Sequence, residues 1–502
     1  MSSPTLATAS YIVSPRQIEL DAAMLPYDVW GTQAHVLMLH ATGILPAGDA
    51  ALIGQALLAL ADEVAHDAFA IDPARGAQLS LEATLIARAG GAAGSRVHTA
   101  RSRNDQVMVT ELLYLRERML GIHALARAAV AALITLAADH IGTVMPGYTH
   151  MQPAKPTTFG HWALAHADGL GRGVLALQQA WDTYDACPLG AVESYGTSWP
   201  IDRALTARLL GFARVWEVPQ DAIGARGLAQ LAYLDACKLL TLQIGKLAQD
   251  LLLFTTWEYG TVALGEPVAQ RLHPITGSSV MAQKKNPDAL ELLRATAPEV
   301  IGLAGLVAQL LAGLPMGYNR DSREVKEWVA LGCDKTEAAL HTLHTVIATL
   351  QPNSGRMAAA VAANYSATTD LADSLAQQSG IGYRQIYAIV GGLVDRLMAD
   401  DQPLTTLTAA DLNAAAHAHG LRLEVTDAEV QAALDPARAV ARRTHIGGAA
   451  PGEMARLLAE RAEQQAAWQA WAAARQTRIA AARSTTAQQL LALTQKEEVA
   501  VG

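Results

Sequence analysis

The sequence predicts an all-α fold, and two observations carry that prediction. Hydrophobic residues make up 51% of the 502, yet only 5% are aromatic and 17% charged, with alanine and leucine supplying most of the apolar content. Those two residues lose least on entering a helix and pack closely helix to helix. The second observation is heptad spacing in three long segments. Leu240, Ile244, Leu247, Leu251 and Phe254 form one stripe, inside a stretch without proline from Gln220 to Glu266. Val300, Leu303, Val307, Leu310 and Leu314 form another, and Leu340, Leu343, Ile347 and Leu350 a third. A lone helix cannot bury such a stripe, so neighbouring helices, within or between subunits, must cover it.

Between the stripes lie punctuated segments, Gly90–Asn104, Met145–Thr158, Pro188–Asp202 and Thr276–Pro287, which mix Gly or Pro with His, Ser, Thr, Asn and Lys. Functional loops at helix ends have this make-up. A composition change near Gln351–Gly355 marks a boundary before a last helical portion. Glu453 to about Gln495 is rich in Ala, Gln and Arg and reads as a terminal helix followed by a frayed tail.

A net charge of −9 argues against nucleic-acid or anionic-membrane partners, although a local basic pocket is compatible with it. Cys187, Cys237 and Cys333 are odd in number, far apart and without metal-ligand spacing, as expected of free thiols in a reducing compartment. Residues Met1 to Ser10 lack a signal-type apolar run, and Leu239–Thr256 is broken by Lys246, Gln249 and Asp250. The expectation is a soluble, cytoplasmic protein. A glycine-rich strand–helix fingerprint and a clustered His/carboxylate set are both missing, against dehydrogenase and metal chemistry.

Four segments could carry chemistry. Gly277–Pro287 places two hydroxyls, two ammonium groups and a carboxamide within ten residues after a glycine, and could fold over an anionic substrate. His98–Gln106 offers Ser102 or Asn104 as the cap of a helix through Glu111–Arg118, and a helix start flanked by Ser, Asn and Arg also suits a carboxylate. Gly147–Pro153 sets His150 beside Thr149 in a Gly/Pro-bounded loop. In Tyr318–Lys326, helical spacing would put Asn319, Arg323 and Lys326 on one side, where two cations could meet an anion. Each also has a plain structural reading: a solvated turn, a cap, a satisfied histidine, a solvated helix face.

In this order the four segments resemble the argininosuccinate lyase branch of the fumarase/aspartase superfamily. The similarity includes HTARSRNDQV at His98–Val107, GYTHMQP at Gly147–Pro153, GSSVMAQKKNP at Gly277–Pro287 and GLPMGYNRD at Gly313–Asp321. It extends from about Asp21 to Pro451. The resemblance implies a three-domain subunit, here divided at 1–107, 108–355 and 356–502, whose long central helices form a twenty-helix core in a homotetramer with active sites shared between subunits. It implies a β-elimination that releases fumarate without metal or organic cofactor. By the same likeness Ser279 is the base, Lys285 and Asn286 stabilise the aci-carboxylate intermediate, and Ser102, Arg103, Asn104 and Thr149 hold the succinyl carboxylates. His150 serves the leaving group, backed by Glu291, and Tyr318, Arg323 and Lys326 complete the substrate site.

Three departures bear on the substrate. The E-D-x-H positions of the family correspond to Arg75, Gly76 and Gln78, an acidic run is replaced by Gly224–Tyr233, and a glutamine by Arg323. Acidic groups are lost and a cation gained where a guanidinium leaving group would sit, and an unpaired buried cation there would cost several kcal/mol. The expected substrate is therefore another N-substituted aspartate, with an aminopolycarboxylate of the ethylenediamine-disuccinate kind as candidate. Argininosuccinate lyase proper is the alternative, and an inactive crystallin-like homologue a more distant one. Asp21 matches a retained acidic position that could meet a substrate amine.

Overall fold

The computed structural model describes residues 11, 13–271 and 275–498, the side chains of 496–498 excepted. The frayed tail expected after Gln495 falls largely outside these residues. Three helices lead the chain: α1 (Pro15–Ala41), α2 (Ala47–Ala65) and α3 (Gly76–Ala89). Five long ones follow: α4 (Arg103–Asp139), α5 (Phe159–Tyr184), α6 (Leu228–Phe254), α7 (Asp288–Leu311) and α8 (Val325–Thr349). These five pack on one another as a bundle, α6 against α5, α7 and α8, and α4 against α5 and α8.

The heptad stripes are what the bundle buries. Leu240, Ile244, Leu247, Leu251 and Phe254 are all buried within the single chain, as are Leu340, Leu343 and Ile347. Val300 and Val307 are buried, whereas Leu303, Leu310 and Leu314 are half-covered. Helix α4 has the length and hydropathy of a membrane span, but it spends its apolar surface inside the bundle, with Leu112, Ile122 and Leu133 buried.

The start of α4 is set by its own sequence. Ser102 caps it, its Oγ accepting from the Asn104 N–H, while the Asp105 carboxylate accepts from the Ser102 N–H at 3.0 Å. The second Asp105 oxygen accepts from the Gly190 and Val192 N–H groups, both at 2.9 Å, and so ties the Pro188–Asp202 loop to the cap. Burial pushes this carboxyl up to about 6 despite its three backbone donors.

A separate core, from Ala367 to Leu434, gathers the shorter helices of the C-terminal portion. The terminal helix, Pro451–Glu498, returns to the first core instead: Met454, Trp468, Ile479 and Leu490 are buried with the bundle. Arg461 on Asp168 at 2.8 Å clamps it to α5, and Arg475 on Asp182 and Arg478 on Asp185 repeat the contact in the same register.

Candidate active site

The first turns of α4 and α8 and the underside of α1 enclose a cavity of about 170 Å³. Arg103 and Asn104 reach it from the helix start that Ser102 caps. Residues Asn104, Val107 and Glu111 lie at i, i+3 and i+7, hence on one face of α4. Glu111, behind the cavity wall, accepts from Arg226 Nη2 at 2.9 Å and from Gln230 Nε2 at 3.0 Å. All three groups are buried, which makes this a buried ionic network in which both Glu111 oxygens are engaged. The Arg226 guanidinium lies over the Tyr318 ring, 5.7 Å from its centroid, and both line the cavity.

Asp21 is the cavity's carboxylate, and two cations already hold it. Lys326 Nζ donates to Oδ1, and Arg323 Nη2 stands 3.7 Å from Oδ2. Asp21 is therefore ion-paired within the chain while lining the cavity. Counted by charge, the lining carries five cationic side chains, Arg103, Arg226, Arg320, Arg323 and Lys326, against this one acid.

Arg323 does point into the cavity, but not through helical spacing. Residues Arg320–Arg323 form a 3₁₀ turn, and Lys326 lies in the α-helix that follows. Asn319 departs from the expected face: its amide donates to the Pro315 and Gly317 carbonyls at 2.8 and 3.2 Å. The tighter 3₁₀ winding rotates side chains by a different step per residue, so an α-helical count across it fails.

Beneath the cavity, Asp28 is buried and accepts from Gln106 Nε2 at 2.7 Å and from Gln78 Nε2 at 3.1 Å. Burial raises the Asp28 carboxyl above its ordinary value, an effect opposed by the two amide donors and the Arg101 charge. Gln78 itself lines the cavity.

The other expected site residues stand elsewhere in the chain. A hairpin, β1 (Val144–Thr149) with β2 (Gln152–Thr158), places Thr149 at the end of its first strand. His150 and Met151 form the two-residue tip with φ of +52° and +62°. A turn with both φ positive normally takes Asn or Gly, so two bulky side chains here are strained, as backbone at functional sites often is.

The segment Gly277–Pro287 is a solvent-facing loop, pinned at its base by a Gly277–Lys285 bridge and by Asn286 N–H donating to the Thr276 carbonyl at 2.9 Å. Ser278 Oγ accepts from the Met281 N–H at 2.9 Å, shaping the turn, and Lys285 donates to the Leu264 carbonyl. Among the described residues nothing hydrogen-bonds the Ser279 hydroxyl, and its neighbour Val280 is 87% exposed. Glu291 lies exposed in the first turn of α7.

The cavity thus joins Arg103, Asn104, Tyr318, Arg323 and Lys326, with Ser102 as the cap beside them. Its lining contains none of Thr149, His150, Ser279, Lys285, Asn286 or Glu291. Sequence reasoning missed the Glu111–Arg226 pair and Arg320. The i, i+3, i+7 spacing of Asn104, Val107 and Glu111 was the available signal for the first.

Comparison with known proteins identifies the family of the chain. A lyase family model matches residues 14–302, and a model of the argininosuccinate lyase C-terminal region matches 365–441. The argininosuccinate lyase of Synechococcus sp. (strain JA-3-3Ab) is 37% identical over 433 residues, covering 86% of this chain and 85% of that one. That of Deinococcus deserti is 36% identical over 450 residues, covering 89% and 93%. Among solved structures, EDDS lyase in complex with formate superposes with a TM-score of 0.86 at 29% identity, covering 95% of this chain and 93% of that one.

Proposed function

This chain belongs to the argininosuccinate lyase branch of the fumarase/aspartase superfamily and is a fumarate-releasing carbon–nitrogen lyase, and on that premise we propose that its substrate is an N-substituted aspartate whose amine portion bears a carboxylate of its own. The observation that carries this reading is the charge of the cavity: of its five lining cations Arg226 is held by Glu111 and Arg103 is assigned to the succinyl part, which leaves Arg320, Arg323 and Lys326 with Asp21 around the amine half. A guanidinium would enter that field against repulsion, and the one acid that could receive it is already paired with Lys326 and Arg323. A carboxylate would enter with attraction and find bidentate donors. The resemblance to EDDS lyase along nearly the whole chain supports the same class.

In the proposed mechanism Ser279 acts as alkoxide and takes the proton from the carbon next to a substrate carboxylate. A free serine is far too weak an acid for this, so the loop must close and desolvate a cationic surrounding. The electron pair moves into that carboxylate as an aci-carboxylate, which Lys285 and Asn286 stabilise. The aci-carboxylate pair then returns to form the carbon–carbon double bond as the C–N bond breaks, the C–N electrons leave with the nitrogen, and the nitrogen gains a proton near His150, which Glu291 backs. Ser102, Arg103, Asn104 and Thr149 hold the succinyl part, which departs as fumarate.

The site would be completed in a homotetramer, with Ser279 and His150 supplied by other subunits than the one that forms the cavity. Leu292, 70% exposed, and Ile301, 40% exposed, flank the buried stripe of α7 on either side and are apolar surface that such an assembly would cover. Mixing an inactive Ser279→Ala chain with an inactive Arg103→Ala chain should then restore fumarate release. No recovery after co-refolding would contradict shared sites.

The second reading, argininosuccinate lyase proper, is favoured by the names of the curated relatives. To decide, the enzyme is given fumarate with a panel of amines, and argininosuccinate separately, while fumarate absorbance is followed. Consumption of fumarate with carboxylate-bearing diamines is the expected result. Rapid turnover of argininosuccinate and of nothing else would sink the proposed substrate class.

A further inference from the structure

We infer that Gln78 is a specificity-determining residue, whose side-chain carbonyl accepts the N–H of the substrate's amine half. This rests on the carboxylate-bearing substrate proposed above and adds how the nitrogen itself is held. The nitrogen that leaves must carry at least one N–H, and an N–H desolvated without an acceptor is costly. Acceptors are scarce in this cavity. Its arginines and Lys326 are donors only, and both Asp21 oxygens face cations, Lys326 on one and Arg323 on the other.

Gln78 differs because something outside the cavity fixes its orientation. Its Nε2 donates to Asp28 Oδ2 at 3.1 Å, while Asp28 Oδ1 accepts from Gln106 at 2.7 Å. Asp28 is 1% exposed and does not line the cavity. A carboxylate engaged by two amides selects the NH₂ end of each, so the carbonyl end of Gln78 is turned away from it. Gln78 lines the cavity, and among the described residues no group donates to its Oε1. The result is a neutral, pre-oriented acceptor in a cavity lined mainly by cationic donors, where the other neutral acceptors are Asn104, assigned to the succinyl part, and the Tyr318 hydroxyl. The lost E-D-x-H pattern thus becomes a change of chemistry at one position, from a ring that titrates to an amide that does not.

The test uses the intact enzyme in the addition direction, with fumarate and N-(2-aminoethyl)aspartate as amine. Gln78→Met keeps the length and removes both hydrogen-bonding ends. Its KM for the amine should rise about tenfold or more, with the KM for fumarate within about twofold of wild type. Gln78→His is the rescue, since a neutral imidazole can donate to Asp28 through one nitrogen and accept through the other. Its amine KM should approach the wild-type value at pH 8 and rise as pH falls through about 6.5, where an imidazole protonates. Wild type should show no such step. An amine KM unchanged in Gln78→Met, or flat with pH in Gln78→His, overturns the inference. Should the wild type accept only arginine, the substrate reading falls, and the same KM comparison made with arginine decides Gln78 by itself.

Discussion

The two halves of the site are built in opposite ways. Around the cavity, most of the charges are braced within the chain: Arg226 on Glu111 and Lys326 and Arg323 on Asp21, with the helix cap held by Asp105. Among the described residues the loop that carries Ser279 is held at its base, with Val280 and Met281 facing solvent. A preformed electrostatic pocket and a solvated, lightly held base loop suit a reaction with two needs. Recognition of a charged substrate benefits from groups that do not reorganise, whereas a serine base must be desolvated only when the substrate is in place.

The largest expected effect breaks the loop half. Ser279→Ala should lower kcat by roughly three orders of magnitude or more while leaving the melting temperature unchanged, since an exposed hydroxyl contributes little to folding. A loss below about tenfold would remove Ser279 from the role of base. The braced half should respond in the reverse sense. Glu111→Gln leaves Arg226 buried beside a neutral amide, at a cost to stability of about 3–5 kcal/mol, to be read by denaturant titration.

Acid should weaken the same framework. His123 is buried in α4, and burial first, then the Arg127 and Arg475 charges, lowers its value to about 4. The unfolded chain would therefore take up this proton near 6.5 and the folded chain only near 4. Stability is fully present above the unfolded value and falls as pH drops through that window, by about 3 kcal/mol. His123→Asn should flatten that fall, and an unaltered pH profile of unfolding would rule out this residue as its source. The smallest effect tunes the cavity without dismantling it. Arg323→Gln should shift the kcat/KM ratio toward argininosuccinate by about tenfold, because one of the two cations on Asp21 is withdrawn.

The difference between the halves also governs what the sequence could reveal. Heptad spacing located α6, α7 and α8, because the single chain covers the α6 stripe, most of the α8 stripe and part of the α7 stripe, and Ser102 was legible as a cap from its local pattern. The loop Gly277–Pro287 read as a basic turn by composition, and only its likeness to a family gave Ser279 a role. The cavity's braces were the least visible. Glu111 and Arg226 are 115 residues apart, and a pairing over that distance leaves no local periodicity. Asn319 was misplaced by an α-helical count carried across the Arg320–Arg323 turn. Asp21 looked like a free acid, since neither Arg323 nor Lys326 announces its partner three hundred residues away.

The central claim is that the cavity selects an amine half with its own carboxylate, and binding tests it without chemistry. Calorimetric Kd values for N-(2-aminoethyl)aspartate and for arginine, measured on the Ser279→Ala enzyme in the presence of fumarate, compare the two directly. The account predicts that the aminocarboxylate binds at least about tenfold tighter and that the preference shrinks as salt is raised. Arginine binding as tightly or tighter would contradict it.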